Sequence, residues 1–321
     1  MSLDALYGFS IATLTIAVGF IIWYLIVSSC LLNCLSKSPT FILLFSQAIN
    51  DIYALTQSAW QPILRLAGVP TETFLPSRWL SVIHGSFELI CLPHYIVIAF
   101  NRALFLTDHT KMNTVFSTNI TITICIFMWV LPITLNVLLH VFAQDDDEGF
   151  YLFSTNQLEM GGKSLGLSLD SYISFIFDIS FYITVVIVVV TYVIAIILHS
   201  YKKKEILAST GTVTSSSSSR MEMRLTIVCL VNLVPPTIST IIEYTWTERG
   251  VVGGLIFAIL TILDNSINSI VLPLFSQLLR DCMKRKIQRT IEVFRCKRPH
   301  KINPKLFDAR RRSTMSTIAP P

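Results

Sequence analysis

Five carboxyl groups stand inside stretches that are otherwise apolar: Asp51, Glu88, Asp178, Glu243 and Asp264. His84 precedes Glu88 by four residues, so the two share a helix face. A charge at the centre of a bilayer costs at least about 2.5–3.5 kcal/mol on insertion scales, so such groups pair, line a cavity or meet a ligand. Two chemistries follow. A relay of Asp51, Glu88, Asp178 and Asp264 could carry protons or ions, as in a transporter or channel. Acids around an outer cavity, with His84, Glu243 and Trp246 beside them, would instead suit a cationic or hydrogen-bonding small molecule. Arg102 ends the apolar stretch "IAFNR". It either snorkels to head groups as an anchor or is held inward, where a guanidinium suits the carbonyls of a partner. No lysine lies in any apolar stretch, so a retinal Schiff base has no amine. Neither a catalytic group nor a metal or cofactor site is expected, and the chain is read as not an enzyme.

These residues need long helices to position them. The chain has 321 residues, 52% hydrophobic and 14% charged, against about a quarter charged in soluble domains. No acid, lysine or arginine separates Asp4 from Lys37, or Lys111 from Asp145. A crossing takes about 20 apolar residues, and backbone groups in lipid must be satisfied within the helix. The fold class is therefore an all-α membrane protein, a seven-helix bundle at 1–276. Spans are expected at about 6–32, 39–64, 79–101, 114–142, 171–199, 225–246 and 252–276. An amphipathic juxtamembrane helix (277–297) and a disordered cytoplasmic tail (298–321) follow. No internal repeat is seen, whereas transporters usually carry one.

Orientation follows from lysine and arginine. Of 25, all but Arg65, Arg78, Lys163 and Arg249 fall on the face that also holds the tail. That places the amino terminus outside and the carboxy terminus in the cytoplasm, and the net charge of +5 reports topology rather than nucleic acid. The seven cysteines lie in spans or on the inner side, so no disulfide is expected. His84 precedes Arg102 by 18 residues, five whole turns or roughly 27 Å; if one faces the bundle, both do. Pro235-Pro236 removes two helix donors and must bend the sixth span. Asp51 can be joined by Asp264, Asn265, Asn268 and Ser269 of the seventh span in a polar network. In "QLLRDCMKRKIQRTIEVFRC", Leu279, Met283, Ile287, Ile291 and Phe294 form one face of a basic helix that would lie on membrane lipid. Cys282 and Cys296 are juxtamembrane candidates for palmitoylation.

The stretch "IAFNRALFLTDHTKMNTVFS" resembles the Asp-Arg-Tyr signature of rhodopsin-like G protein-coupled receptors, in the Asn-Arg version of nematode serpentine chemoreceptors. "LLFSQAINDIYAL", Trp129 and "FIFDIS" look most like class x of that family. The resemblance implies a small molecule bound in the outer half of the bundle, at His84, Glu88, Asp178, Glu243 and Trp246. It implies a heterotrimeric G protein engaging Asn101 and Arg102, a hinge at Pro235 and Pro236, and a sodium ion at Asp51. Kinase and arrestin would act at the tail, in the plasma membrane or a sensory cilium. Departures are Asn101 and Ala103 within the signature, "VNLVPP" in the sixth span, and "NSIVLPLF" in the seventh.

Overall fold

A computed structural model describes residues 3–68, 75–142, 151–153, 160–162, 169–210, 226–227, 229–245 and 250–296, with some side chains in these ranges excepted. Its helices are α1 (Leu3–Leu32), α2 (Pro39–Leu66), α3 (Leu75–Thr107), α4 (His109–Val115) and α5 (Thr118–Phe142). There follow α6 (Leu169–Thr210), α7 (Val234–Thr245), α8 (Gly250–Phe275) and α9 (Gln277–Cys296). By compactness the chain divides into residues 1–280 and 281–321.

Among the described residues, five helical stretches are long and apolar enough to cross a membrane: Tyr7–Leu32, Leu89–Thr107, Thr118–Leu135, Ile179–Tyr201 and Ala258–Phe275. Their outer faces are apolar. Phe127 on α5 and Val186 on α6 are 62% and 61% exposed, which is how a helix dresses itself for lipid rather than water. α2 has the length, 28 residues, but buries Ser46, Gln47, Asn50, Asp51 and Gln57 on its inner side. Its polarity is spent inside the bundle.

The sixth expected span departs most from the sequence reading. Instead of one bent helix over 225–246, residues 229–231 are helical, Asn232 and Leu233 form a turn, and α7 begins at Val234. Pro235 and Pro236 fall in the first turn of α7, where a missing N–H costs nothing. The same two prolines cannot donate back to the carbonyls of residues 231 and 232, so the helix before them has to stop. Leu233 N instead donates to Leu230 O at 3.1 Å, a tighter turn. A second difference is a short antiparallel ribbon, Tyr151–Phe153 with Met160–Gly162, in the loop before α6. The all-helical reading did not include it.

α2 and α3 sit at the centre. α2 packs on α1, α3, α5 and α8, and α3 on α5 and α6. In lipid the hydrophobic effect does not press helices together, so packing and interhelical hydrogen bonds must. One such joint ties three helices. The Trp129 indole of α5 donates to Ser46 Oγ of α2 at 3.0 Å. Ser46 in turn lies 2.8 Å from His94 Nε2 of α3, and His94 Nδ1 donates to Ile90 O at 2.7 Å. With Nδ1 donating, Nε2 accepts the serine hydroxyl, and every hydrogen runs one way along the chain. The His94 and Trp129 rings meet edge to face, 6.5 Å apart.

Ser46→Ala strands an indole donor and an imidazole acceptor together. Thermal unfolding in detergent, followed by circular dichroism, should show a loss of about 1–2 kcal/mol. An unchanged midpoint would mean that the joint contributes nothing.

Candidate functional site

Two buried polar clusters lie along the bundle. The first is built around Asp51, 3% exposed. Gln47, one turn earlier on α2, donates to Asp51 Oδ1 at 2.8 Å. Asn268 Nδ2 of α8 donates to Oδ2 at 2.8 Å, and the Tyr24 hydroxyl of α1 makes a short bond to the same oxygen. Asn268 also accepts from Asn232, in the turn that breaks the sixth segment. One carboxylate thus joins α1, α2 and α8, and through Asn268 it reaches the break. Trp23 Nε1 adds a tie from α1 to the Ser269 carbonyl at 3.0 Å.

Of the residues the sequence offers as partners of Asp51, Asn268 bonds it directly. Asn265 and Ser269 turn their side chains to their own helix, donating to Thr261 O at 2.8 Å and Ser266 O at 2.6 Å. Asp264 is half-buried one turn before Asn268. Each described partner of the Asp51 carboxylate is a donor, where a sodium ion would want further oxygen acceptors. Among the described residues no group of three or more His, Cys, Asp or Glu could hold a metal ion. Tyr24, Gln47 and Asn232 escaped the sequence reading. The one available signal was spacing: Gln47 stands four before Asp51, and Asn232 sits three before the proline pair.

The second cluster surrounds Arg102. α3 continues to Thr107, five residues past it, so the arginine is inside the helix and not at its end. Neither Arg102 nor Asn101 has any exposed surface; a snorkelling arginine would show its guanidinium. Thr40, at the start of α2, donates to Asn101 Oδ1 at 2.7 Å. Asn101 Nδ2 is buried with no hydrogen-bond partner among the described residues. Across from α3, Tyr192 of α6 is 1% exposed and lies beside Cys229 within electrostatic reach of Arg102. His199 Nδ1 donates to Leu106 O at 3.2 Å, fastening α6 to α3 just beyond. Asp108 then ends the run by capping α4, accepting from Thr110 N and Lys111 N at 3.1 Å each.

The expected ligand group stays outside this geometry. His84, Glu88, Asp178 and Glu243 lie on helices, but their side chains, like the whole of Trp246, fall outside the described residues. The same holds for the side chains of Pro236 and Cys296 and for the tail from 297. Cys282 is 7% exposed.

The family model described as "Serpentine type 7TM GPCR chemoreceptor Srv" matches residues 7–283. No curated protein matches the chain. The match carries the serpentine chemoreceptor reading and names Srv, not class x. Of the features that suggested class x, Asp51 and Trp129 serve the bundle's internal joints, and the side chain of Asp178 in "FIFDIS" falls outside the described residues.

Asp51→Leu removes the acceptor of three donors, whereas Gln47→Leu removes one donor. The first should cost about 2–3 kcal/mol and the second about 1 kcal/mol in detergent unfolding. Equal losses would deny Asp51 its place as the hub.

Proposed function

The chain belongs to the Srv family of serpentine seven-transmembrane chemoreceptors, and from that premise we propose that it binds a small molecule in the outer half of its bundle and switches a heterotrimeric G protein through Arg102. It is a multi-pass membrane receptor and not an enzyme. The proposed seven crossings count α2 and the two-piece sixth segment with the five apolar helices. The amino terminus is proposed to lie outside and the tail in the cytoplasm of the plasma membrane, in a sensory cilium where the cell has one.

The observation that carries the coupling role is the burial of Arg102 inside α3, beside Asn101 and Tyr192. A guanidinium kept off the head groups, at the inner end of a helix, suits the backbone carbonyls of an entering peptide helix. At position 101 an amide replaces the usual acid, and its oxygen already serves Thr40, so it offers the arginine no carboxylate. The break at Asn232, with Pro235 and Pro236 behind it, is the proposed hinge. The inner piece of the sixth segment would swing on it and open the cleft. Asp51 acts as the hub that holds Asn268 against Asn232, and not as a sodium site, because donors surround its oxygens.

His84, Glu88, Asp178, Glu243 and Trp246 remain the proposed ligand contacts. α9 is proposed to rest on anionic lipid, with Cys296 as the palmitoylated residue. The serines and threonines of the tail would receive a kinase and then arrestin.

The test is a small-molecule screen on the receptor in nanodiscs, read as nucleotide exchange on Gα. Arg102→Ala should leave ligand binding within about twofold and lower ligand-driven exchange at least tenfold, as losing a charge-assisted contact would. Exchange that survives the substitution would remove Arg102 from the mechanism. Ion flux that tracks Asp51 and ignores G protein would replace the receptor with a transporter.

A further inference from the structure

α2 carries a polar row that neither cluster uses. Tyr53, Gln57 and Trp60 follow Ser46 at offsets of 7, 11 and 14 residues, which at about 100° per residue keeps all four within roughly 40° of one direction. That direction is known from Ser46, which meets Trp129 of α5 and His94 of α3. The row therefore runs up the same side of α2, from about one turn past the Asp51 layer toward the end of the helix away from Thr40.

Two polar atoms in this row are buried with no hydrogen-bond partner among the described residues: Gln57 Oε1 and Trp60 Nε1. Gln57 is 3% exposed. Its amide nitrogen donates weakly to the Tyr53 hydroxyl, at 3.5 Å. The acceptor and the indole donor are three residues apart, neighbours on one helix face. Burying an acceptor and a donor without partners costs about 1–3 kcal/mol each, and lipid supplies no water to relieve it. A helix long enough to place apolar residues here has instead placed one donor and one acceptor side by side.

We propose that Gln57 Oε1 and Trp60 Nε1 form a binding site for the hydroxyl group of a small neutral molecule, which donates to the glutamine and accepts from the tryptophan. A hydroxyl is the smallest group that does both. A carboxylate, which only accepts, would leave the glutamine oxygen unserved, and an ammonium, which only donates, would leave the indole donor unserved. The site lies on the side of α2 that Ser46 turns toward α3 and α5, and none of the five proposed ligand contacts belongs to it. A trapped water could satisfy the same two atoms, and an alcohol of fitting shape would displace it.

The chain has five tryptophans, so the indole N–H signals of the full-length receptor in nanodiscs, labelled with nitrogen-15 tryptophan, can be told apart by single substitutions. Trp60→Phe identifies the Trp60 signal. Cyclohexanol is the probe and methylcyclohexane the shape-matched control. Cyclohexanol should move the Trp60 signal saturably and leave that of Trp23 in place, and methylcyclohexane should move neither. Gln57→Leu should raise the half-saturating concentration about tenfold, while Gln57→Glu, which keeps an acceptor, restores it to within about threefold.

No shift up to the solubility of the alcohol overturns the site, whether because water holds it or because nothing does. A shift shared by methylcyclohexane, or indifferent to Gln57→Leu, overturns it equally, as general solvation of the helices would give that result. Nucleotide exchange on Gα, read in parallel, judges the receptor proposal separately. Exchange without the Trp60 shift removes this site alone, and the shift without exchange removes only the coupling.

Discussion

Hydrocarbon cannot solvate a polar group, and most of this architecture answers to that constraint. Asp51 is the severest case. Its carboxylate is buried mid-helix, and Gln47, Asn268 and Tyr24 converge on its two oxygens. Any rearrangement of α1, α2 or α8 that separated them would leave a carboxylate facing lipid or unserved donors. The network therefore fixes the register of three helices more firmly than their apolar contacts can, since lipid chains pack on an exposed leucine as well as a neighbouring helix does. The Trp129–Ser46–His94 joint does the same for α2, α3 and α5, on another face of α2.

The network also sets where the bundle can give. Asn268 belongs to Asp51 on one side and to Asn232 on the other. Asn232 lies in a turn that exists because Pro235 and Pro236 cannot donate to the carbonyls behind them. The hub thus ends on the break in the sixth segment. One turn back along the inner piece stands Cys229, beside Tyr192 and so near Arg102. Asp51 and Arg102 are joined by this short run of contacts, with a discontinuity in its middle. A rigid sixth helix would transmit a push along its whole length, whereas under the proposed hinge the piece before the break would move while α7 keeps its contact with α8.

Much of this was legible in the sequence, and the rest failed for identifiable reasons. Length and hydropathy made five apolar helical stretches legible, because a crossing requires a stretch that few soluble segments imitate. The partner Asn268 was legible from depth alone. The break in the sixth segment was not: a double proline reads equally as a kink within one helix or as the first turn of a new one, and the bond from Asn232 to Asn268 goes with the second. Arg102 looked like a helix terminus because the polar residues after it mimic a loop, yet α3 runs on to Thr107 and Asp108 supplies the stop as a cap. Ser46 was invisible because a serine or threonine hydroxyl in an apolar span is usually bonded to its own helix, as Thr13 and Ser29 are here.

The burial of Arg102 sharpens the contrast between the two ends of the molecule. Asp51 is served by donors from α1, α8 and its own helix, so its position is a structural solution complete in itself. Arg102 is held by geometry. The helix continues past it, Thr40 claims the oxygen of Asn101, and His199 clamps α6 onto Leu106 one turn later. An arginine at a span end ordinarily reaches the head groups at little cost. Here the surrounding helices deny it that route: Arg102 has no exposed surface, and Tyr192 of α6 lies within electrostatic reach of it. The aspartate is thus satisfied by donors within the bundle, while the arginine is enclosed by it, and under the proposed coupling this enclosed guanidinium is what an entering partner would have to reach.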